Sequence, residues 1–394
     1  MQGLAPAAAT GNAAWRATLA GLAATLVGVG LARFAYTPLV PALIEGGWFI
    51  ASEAAYLGAA NFLGYLAGAL AIRWLPPGLS QVAVLRGAML LAAATFLACA
   101  FPLSFAWYAG WRFLAGFSGG LLMVLAAAAV LPQVPAERRG LAGGVIYTGV
   151  GVGIALSGTL VPPLVAWGLR EAWLAFGLVA LVLMALAWSH WPPRGAARAE
   201  ALAPGGGKGP LAGFAGLYVG YALNALGLVP HMLFLVDFVA RGLDRGLAAG
   251  AGYWVLFGIG ASVGPVLTGR VGDRLGFSRA IRLGFFVQAA AVLVPTLSQD
   301  WPALAVSSLV VGAFTPGIVP LFLGRTQELA RASGASPAVA WGYATAAFAF
   351  GQAVGAYAAS LLFSIWQDYA LLFQLAAAGL VLALAIESRP ARPR

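Results

Sequence analysis

Reactive side chains are scarce in this sequence of 394 residues, which has one cysteine, two histidines and one lysine, with charged residues making up only 9% of the chain. The lone Cys99 excludes an internal disulfide framework and any multi-cysteine metal site. No G-x-x-x-x-G-K-[ST] phosphate loop occurs, and Lys208 sits in a Gly/Pro-rich stretch, so an ATP site is excluded and no cofactor is expected. The apolar regions hold no convincing set of nucleophile, acid and base, which argues against a membrane enzyme. Acidic residues are scarce in one place above all: each of the 12 falls in a polar segment or close to the end of an apolar run.

Apolar residues are what the chain has in abundance, at 61%, together with 53 glycines. That composition lies far outside the range of soluble domains and marks a polytopic membrane protein. About 20 apolar residues cross a bilayer as a helix. Runs bounded by charge, proline or glycine predict an all-α protein with twelve spans, at 17–44, 52–73, 81–101, 105–131, 140–166, 171–190, 211–239, 248–270, 279–298, 302–323, 338–362 and 368–387. WPPRGAARAEALAPGGGKGP, from Trp191 to Pro210, separates two sets of six and reads as a flexible linker. The expected organisation is a tail at 1–16, a six-helix unit at 17–190, a linker at 191–210, a second six-helix unit at 211–387 and a tail at 388–394. A cleaved signal peptide is the rival reading of the start, but the apolar run continues well beyond signal-peptide length.

The net charge of +10 reports topology. Segments on the side of the N-terminus carry 17 basic residues, opposite segments carry three (Arg170, Arg241 and Arg245), and Arg33 and Arg112 lie inside spans. By the positive-inside rule both termini are expected in the cytoplasm. A nucleic-acid partner is not needed to explain the charge.

Two arginines within spans are the first site candidates. In GVGLARFAYTPLVPAL (Gly28 to Leu43), Arg33 interrupts a run with no other charge, and on a regular helix Tyr36, Thr37 and Val40 would share its face. A charge at that depth costs about 2.5–3.5 kcal/mol on insertion scales, so it should face a partner or a cavity. Arg112 in WRFLAGFSGG lies at similar depth in the fourth span, where hydrogen bonding to carbonyls of a neighbouring helix is the structural alternative to a ligand role. With no acid at that depth, both guanidiniums are suited to bidentate binding of a carboxylate or phosphate brought by a substrate.

Weaker candidates lie elsewhere. In the seventh span, Asn224, Leu228 and His231 share a face, and Pro230 should loosen the helix. His231 is a candidate proton-coupling group, with a packing histidine as the alternative. Asp237, near the end of that span, reads as an interfacial or gate residue. Tyr147 in the fifth span and Gln352 in the eleventh are further candidate lining residues.

GRVGDRLGFSR, between the eighth and ninth spans, places Gly269, Asp273, Arg274, Gly276 and Arg279 in the G-x-hydrophobic-x-D-R-x-G-x-x-R pattern, which resembles the cytoplasmic loop signature of the major facilitator superfamily. Its charges are expected to form a network that locks one conformation. The matching segment GALAIRWLPPGLSQ keeps Gly68 and Arg73 but has no acid. RFAYTPLVPAL, GVGIALSG, ALNALGLVPHMLFLVDF and TPGIVPLFLGRTQEL together resemble the YbfB/YjiJ-type branch of that superfamily over essentially the whole length. The resemblance implies two pseudo-symmetric six-helix bundles and a multi-pass inner-membrane secondary transporter; a monomer is expected. The resemblance further implies a midplane site between the bundles, working by alternating access.

The reading reached from sequence is transport of a small organic anion, with the coupling proton and membrane lipid as other partners. Arg33, Arg112, Tyr36, Thr37, Tyr147, Asn224, His231 and Gln352 are the binding candidates. His231, Asp237, Asp273, Arg274 and Arg279 are the coupling or gating candidates. The alternatives are proton-coupled efflux of drugs or metabolites and a membrane sensor or scaffold without flux.

Overall fold

In hydrocarbon every backbone polar group must be satisfied within its own segment, so long apolar runs cross as helices. The structure, a computed structural model, describes residues 11–76, 78–135, 138–192, 211–335 and 337–388. Twelve helices among them are long and apolar enough to span a membrane. They are α1 (Asn12–Glu45), α2 (Ala51–Ala71), α3 (Gln81–Cys99), α4 (Phe105–Gln133), α5 (Leu141–Trp167) and α6 (Leu169–Trp188), then α7 (Gly213–Gly242), α8 (Gly246–Leu275), α9 (Phe277–Leu297), α10 (Trp301–Ser333), α11 (Val339–Trp366) and α12 (Tyr369–Glu387). Most of the expected tails and linker lie outside the described residues.

Span boundaries shift by a few residues throughout, and three differences from the sequence reading are instructive. The expected N-terminal tail gives way to helix within its last residues, as α1 already includes Trp15 and Arg16. The tenth span runs on through GRTQELARAS to Ser333. GRVGDRLGFSR is helical apart from Gly276, whose φ of +80° makes the turn between α8 and α9 in the left-handed region that favours glycine. Counting apolar residues ends a helix where charge begins, whereas a helix leaving the membrane keeps its backbone bonds.

Small residues set the closest approaches within each half. Gly64 and Gly68 of α2 lie on the Phe113 and Phe117 carbonyls of α4, while Gly116 and Gly120 of α4 lie on Asn61 and Tyr65 backbone of α2. The same device recurs six helices later: Gly260 and Gly264 of α8 lie on Leu309 and Ala313 of α10, and Gly312 lies on Phe257. A β-carbon at any of these would overlap backbone, so the glycines permit close dispersion contact where lipid supplies no hydrophobic drive.

Between the halves, α5 packs on α8 through Gly151 against Ser262, Ala155 against Gly258 and Gly158 against Ala251 and Val255. Gly58 of α2 faces Leu233 of α7, and the Tyr56 and Tyr357 rings meet with centroids 6.4 Å apart. These contacts fall between mid-depth and the face opposite the start of α1 and the end of α12. The two halves are thus packed together on that face.

Candidate functional site

The first helix is not continuous where Arg33 sits. Residues Leu26–Leu31 form a π-helix, with bonds from Ala32 N to Val27 O (2.9 Å) and from Phe34 N to Val29 O (3.3 Å). A regular helix resumes at Tyr36–Glu45. Pro38 and Pro41 have no N–H to continue the ladder. Gly28 and Gly30 let the widened segment wedge between α4 and α5: Gly119 lies on the Gly28 carbonyl, and a β-carbon on Gly30 would stand 2.8 Å from Gly149 O and Gly153 Cα. Wide turns of this kind inside helices recur at functional sites. The break also replaces the simple stripe expected on α1, so Arg33, Tyr36 and Thr37 serve three different partners.

Arg33 is buried, with 6% of its surface accessible. Its Nη2 donates to Gln352 Oε1 of α11 at 2.8 Å, and Nε has no hydrogen-bond partner. The guanidinium is boxed by aromatic rings, with its carbon 4.2 Å from the Phe62 centroid, 4.7 Å from Tyr65 and 5.1 Å from Phe34. Ring faces stabilise the cation by roughly 0.5–2 kcal/mol each without neutralising it. Thr37 Oγ1 donates to the Met232 carbonyl of α7 at 2.6 Å, and Gln352 Nε2 leans on Met232 Sδ at 3.6 Å. Arg33, Gln352, Met232 and Thr37 therefore form a polar circuit that crosses between the halves twice.

Arg112 is used differently. Its Nη1 donates to Ala32 O at 2.9 Å and its Nη2 to Arg33 O at 3.4 Å, the carbonyls at the break in α1. Its guanidinium carbon lies 4.2 Å from the Tyr36 ring centroid, and Tyr36 donates its hydroxyl to Ala54 O at 2.7 Å. Asn61 of α2 in turn donates to Arg112 O at 3.1 Å. The arginine thus takes the place of missing backbone donors, the structural alternative open from sequence.

Other candidates lie apart from the Arg33 guanidinium. Asn224 donates to Gln288 of α9 at 2.7 Å, inside its own half. His231 Nε2 lies 2.8 Å from Ser307 Oγ of α10, and its ring meets Phe373 of α12 edge-on at 5.0 Å. Ser307 donates its hydroxyl to Ala291 O at 2.7 Å, so it must accept from His231, which places the imidazole proton on Nε2. Tyr147 is half-buried on α5. Asp237 is 1% exposed, paired bidentately with Arg241 and accepting from the Tyr369 hydroxyl at 2.6 Å. Asp273, Arg274 and Arg279 are exposed at the α8–α9 turn and form no ion pair among the described residues.

Sequence reasoning passed over Met232, which offers both its carbonyl and its sulfur, and the Phe62 and Tyr65 faces. Asn61, a lone amide in an apolar run, was the visible signal on α2. Trp254 Nε1 donating to Ser157 Oγ at 3.1 Å is a further link between the halves.

Comparison with known proteins gives the fold and the family. No curated protein matches the sequence. Among solved structures, a D-xylose-proton symporter superposes with a TM-score of 0.72 at 16% identity, covering 93% of this chain and 97% of that one. At that identity the likeness concerns the fold: twelve helices in the two-bundle arrangement of the major facilitator superfamily. The family profile described as "Uncharacterised MFS-type transporter YbfB" matches residues 25–388. A match over that span, on a multi-pass helical membrane fold, makes the chain a member of the YbfB-type family of major facilitator transporters, which are transporters and not enzymes.

Proposed function

We propose that the protein is a secondary transporter of a small organic anion, a carboxylate held by Arg33, working by alternating access with both termini in the cytoplasm. The observation that carries this reading is the state of Arg33: a buried guanidinium between the halves, with Nε unpartnered and Nη2 held only by a neutral amide. Arg112 also leaves its Nε unpartnered, but its two terminal nitrogens are held by carbonyls of α1 within its own half, whereas Arg33 reaches a side chain of the other half. The contacts between the halves named above fall toward the face opposite the termini, which supports approach of substrate to Arg33 from the terminal side. The unpaired charges of Asp273, Arg274 and Arg279 fit a conformation in which that side is apart. Thr37 and Gln352 line the site, and Arg112 and Tyr36 hold the broken helix that presents Arg33.

No coupling role is assigned to His231, because its ring is fully buried within its own half, with Nε2–H given to Ser307 and, among the described residues, no acidic or basic side chain on Nδ1. Efflux of lipophilic cations needs a buried carboxylate free to trade a cation for a proton, and Asp237 is engaged by Arg241 and Tyr369.

The test is thermal denaturation of the detergent-solubilised protein with acetate, lactate, succinate, benzoate and, as the opposing probe, tetraphenylphosphonium. A ligand at a hundred times its Kd adds about 2.7 kcal/mol to apparent stability. At least one carboxylate is expected to raise Tm in the parent and not in Arg33→Ala. Stabilisation by tetraphenylphosphonium alone, or an unchanged carboxylate shift in Arg33→Ala, overturns the anion site.

A further inference from the structure

A guanidinium presents its Nε–H and Nη2–H as a parallel fork that matches the two oxygens of a carboxylate. Among the described residues that fork is filled once: Arg241 donates Nε to Asp237 Oδ1 and Nη2 to Asp237 Oδ2, the latter at 2.8 Å. On Arg33 the same edge is half filled, with Nη2 on Gln352 Oε1 at 2.8 Å and Nε without a partner; Arg86 and Arg112 also leave Nε open, but their Nη2 rests on a backbone carbonyl, whereas on Arg33 it rests on a side chain of the other half. We propose that Gln352 is a displaceable stand-in for the substrate's carboxylate on Arg33, and that its displacement releases the packed face between the halves. This rests on the anion reading above.

Three features support it. An amide oxygen satisfies one prong of the fork, whereas a carboxylate satisfies both with charge-assisted bonds roughly twice as strong as neutral ones. The Arg33 side chain is boxed by Phe62, Tyr65 and Phe34, so the guanidinium is a fixed target and the glutamine is the group that moves. Gln352 also belongs to α11 of the other half, and its Nε2 rests on the soft Met232 sulfur, a weak acceptor that gives it up at little cost. When substrate takes the fork, the circuit from Arg33 to Thr37 is cut on its Gln352 side. Among the described residues, the hydrogen bond from Thr37 to the Met232 carbonyl and the packing of the Phe34 ring on Trp254, centroids 6.0 Å apart, then tie α1 to the opposite half at that level.

The experiment uses the full chain in a Cys99→Ala background carrying Tyr56→Cys and Tyr357→Cys, positions whose rings meet across the packed face. It reads cross-linking by a short bifunctional thiol reagent alongside the Tm shift with lactate, succinate and benzoate. With Gln352 present, the stabilising carboxylate is expected to lower cross-linking severalfold. Gln352→Glu fills the fork from within, so the carboxylate-dependent Tm shift disappears and cross-linking stays high with or without ligand. Gln352→Ala keeps the Tm shift at a severalfold lower ligand concentration and lowers cross-linking without ligand. Gln352→Asn, one methylene shorter, repeats the alanine result and replaces it should the alanine variant fold poorly. A parent-like carboxylate shift in Gln352→Glu, or parent-like cross-linking in the alanine or asparagine variant, overturns the gate. The anion site would then still stand, because it falls only if Arg33→Ala keeps its carboxylate shift.

Discussion

Arg33 and Arg241 are both guanidiniums on the first helix of their respective halves, and the protein satisfies them in opposite ways. Arg241 has a carboxylate of its own, Asp237 one turn earlier, with the Tyr369 hydroxyl closing the group. Arg33 has aromatic faces, one amide oxygen and a free Nε. A cation neutralised by the chain has nothing left to offer a ligand. A cation held by neutral groups keeps its charge for one, at the expense of stability that a carboxylate would have supplied. Arg112 is a third case, a cation whose two terminal nitrogens are given to the carbonyls of a broken helix while its Nε, like that of Arg33, has no partner.

The contrast can be broken or sharpened by substitution. The largest loss of stability is expected for Arg112→Ala, which strands the Ala32 and Arg33 carbonyls where α1 already lacks its ladder; each buried unsatisfied group costs about 1–3 kcal/mol. The measurement is Tm and monodisperse yield in detergent, with Arg112→Lys recovering part of the loss through one retained donor. Next is Asp237→Asn, which keeps the shape and one acceptor but removes the charge. It is expected to cost about 1–2 kcal/mol, read as a lower Tm with the carboxylate response intact. The smallest stability effect is expected for Arg33→Met, within about 1 kcal/mol of the parent, because the substitution removes the burial cost of a charge together with its weak partners. That variant should nevertheless lose the whole carboxylate response. If Arg33→Met destabilises as much as Arg112→Ala, Arg33 is a structural arginine and the contrast fails.

Hydropathy made the number of spans legible, because lipid leaves a backbone no acceptor but its own and so ties apolar length to helix. The chemistry of the site was only partly legible. Arg33 stood out because a charge at that depth is costly wherever it points. Asn224 and His231 fell on one face of α7, and helical spacing placed them together correctly. Spacing has no information about which neighbour that face meets, and it meets α9, α10 and α12 of the same half. Asp237 was read as an interfacial or gate residue from its position near a span end; which partners it has there, Arg241 and the Tyr369 hydroxyl of α12, spacing could not say.

By itself the sequence determined a twelve-helix membrane protein in two halves, the charge asymmetry of its loops and the presence of two arginines without a nearby acid, since each depends on composition along a single chain. Only the tertiary structure decided that Arg112 serves carbonyls, that Arg33 reaches an amide 319 residues away and that Asp237 is already taken. Those outcomes turn on a few ångströms of helix packing, set by glycines that let α1 bend between α4 and α5 and by the side chains the other half presents. The periodicity of one helix does not contain them.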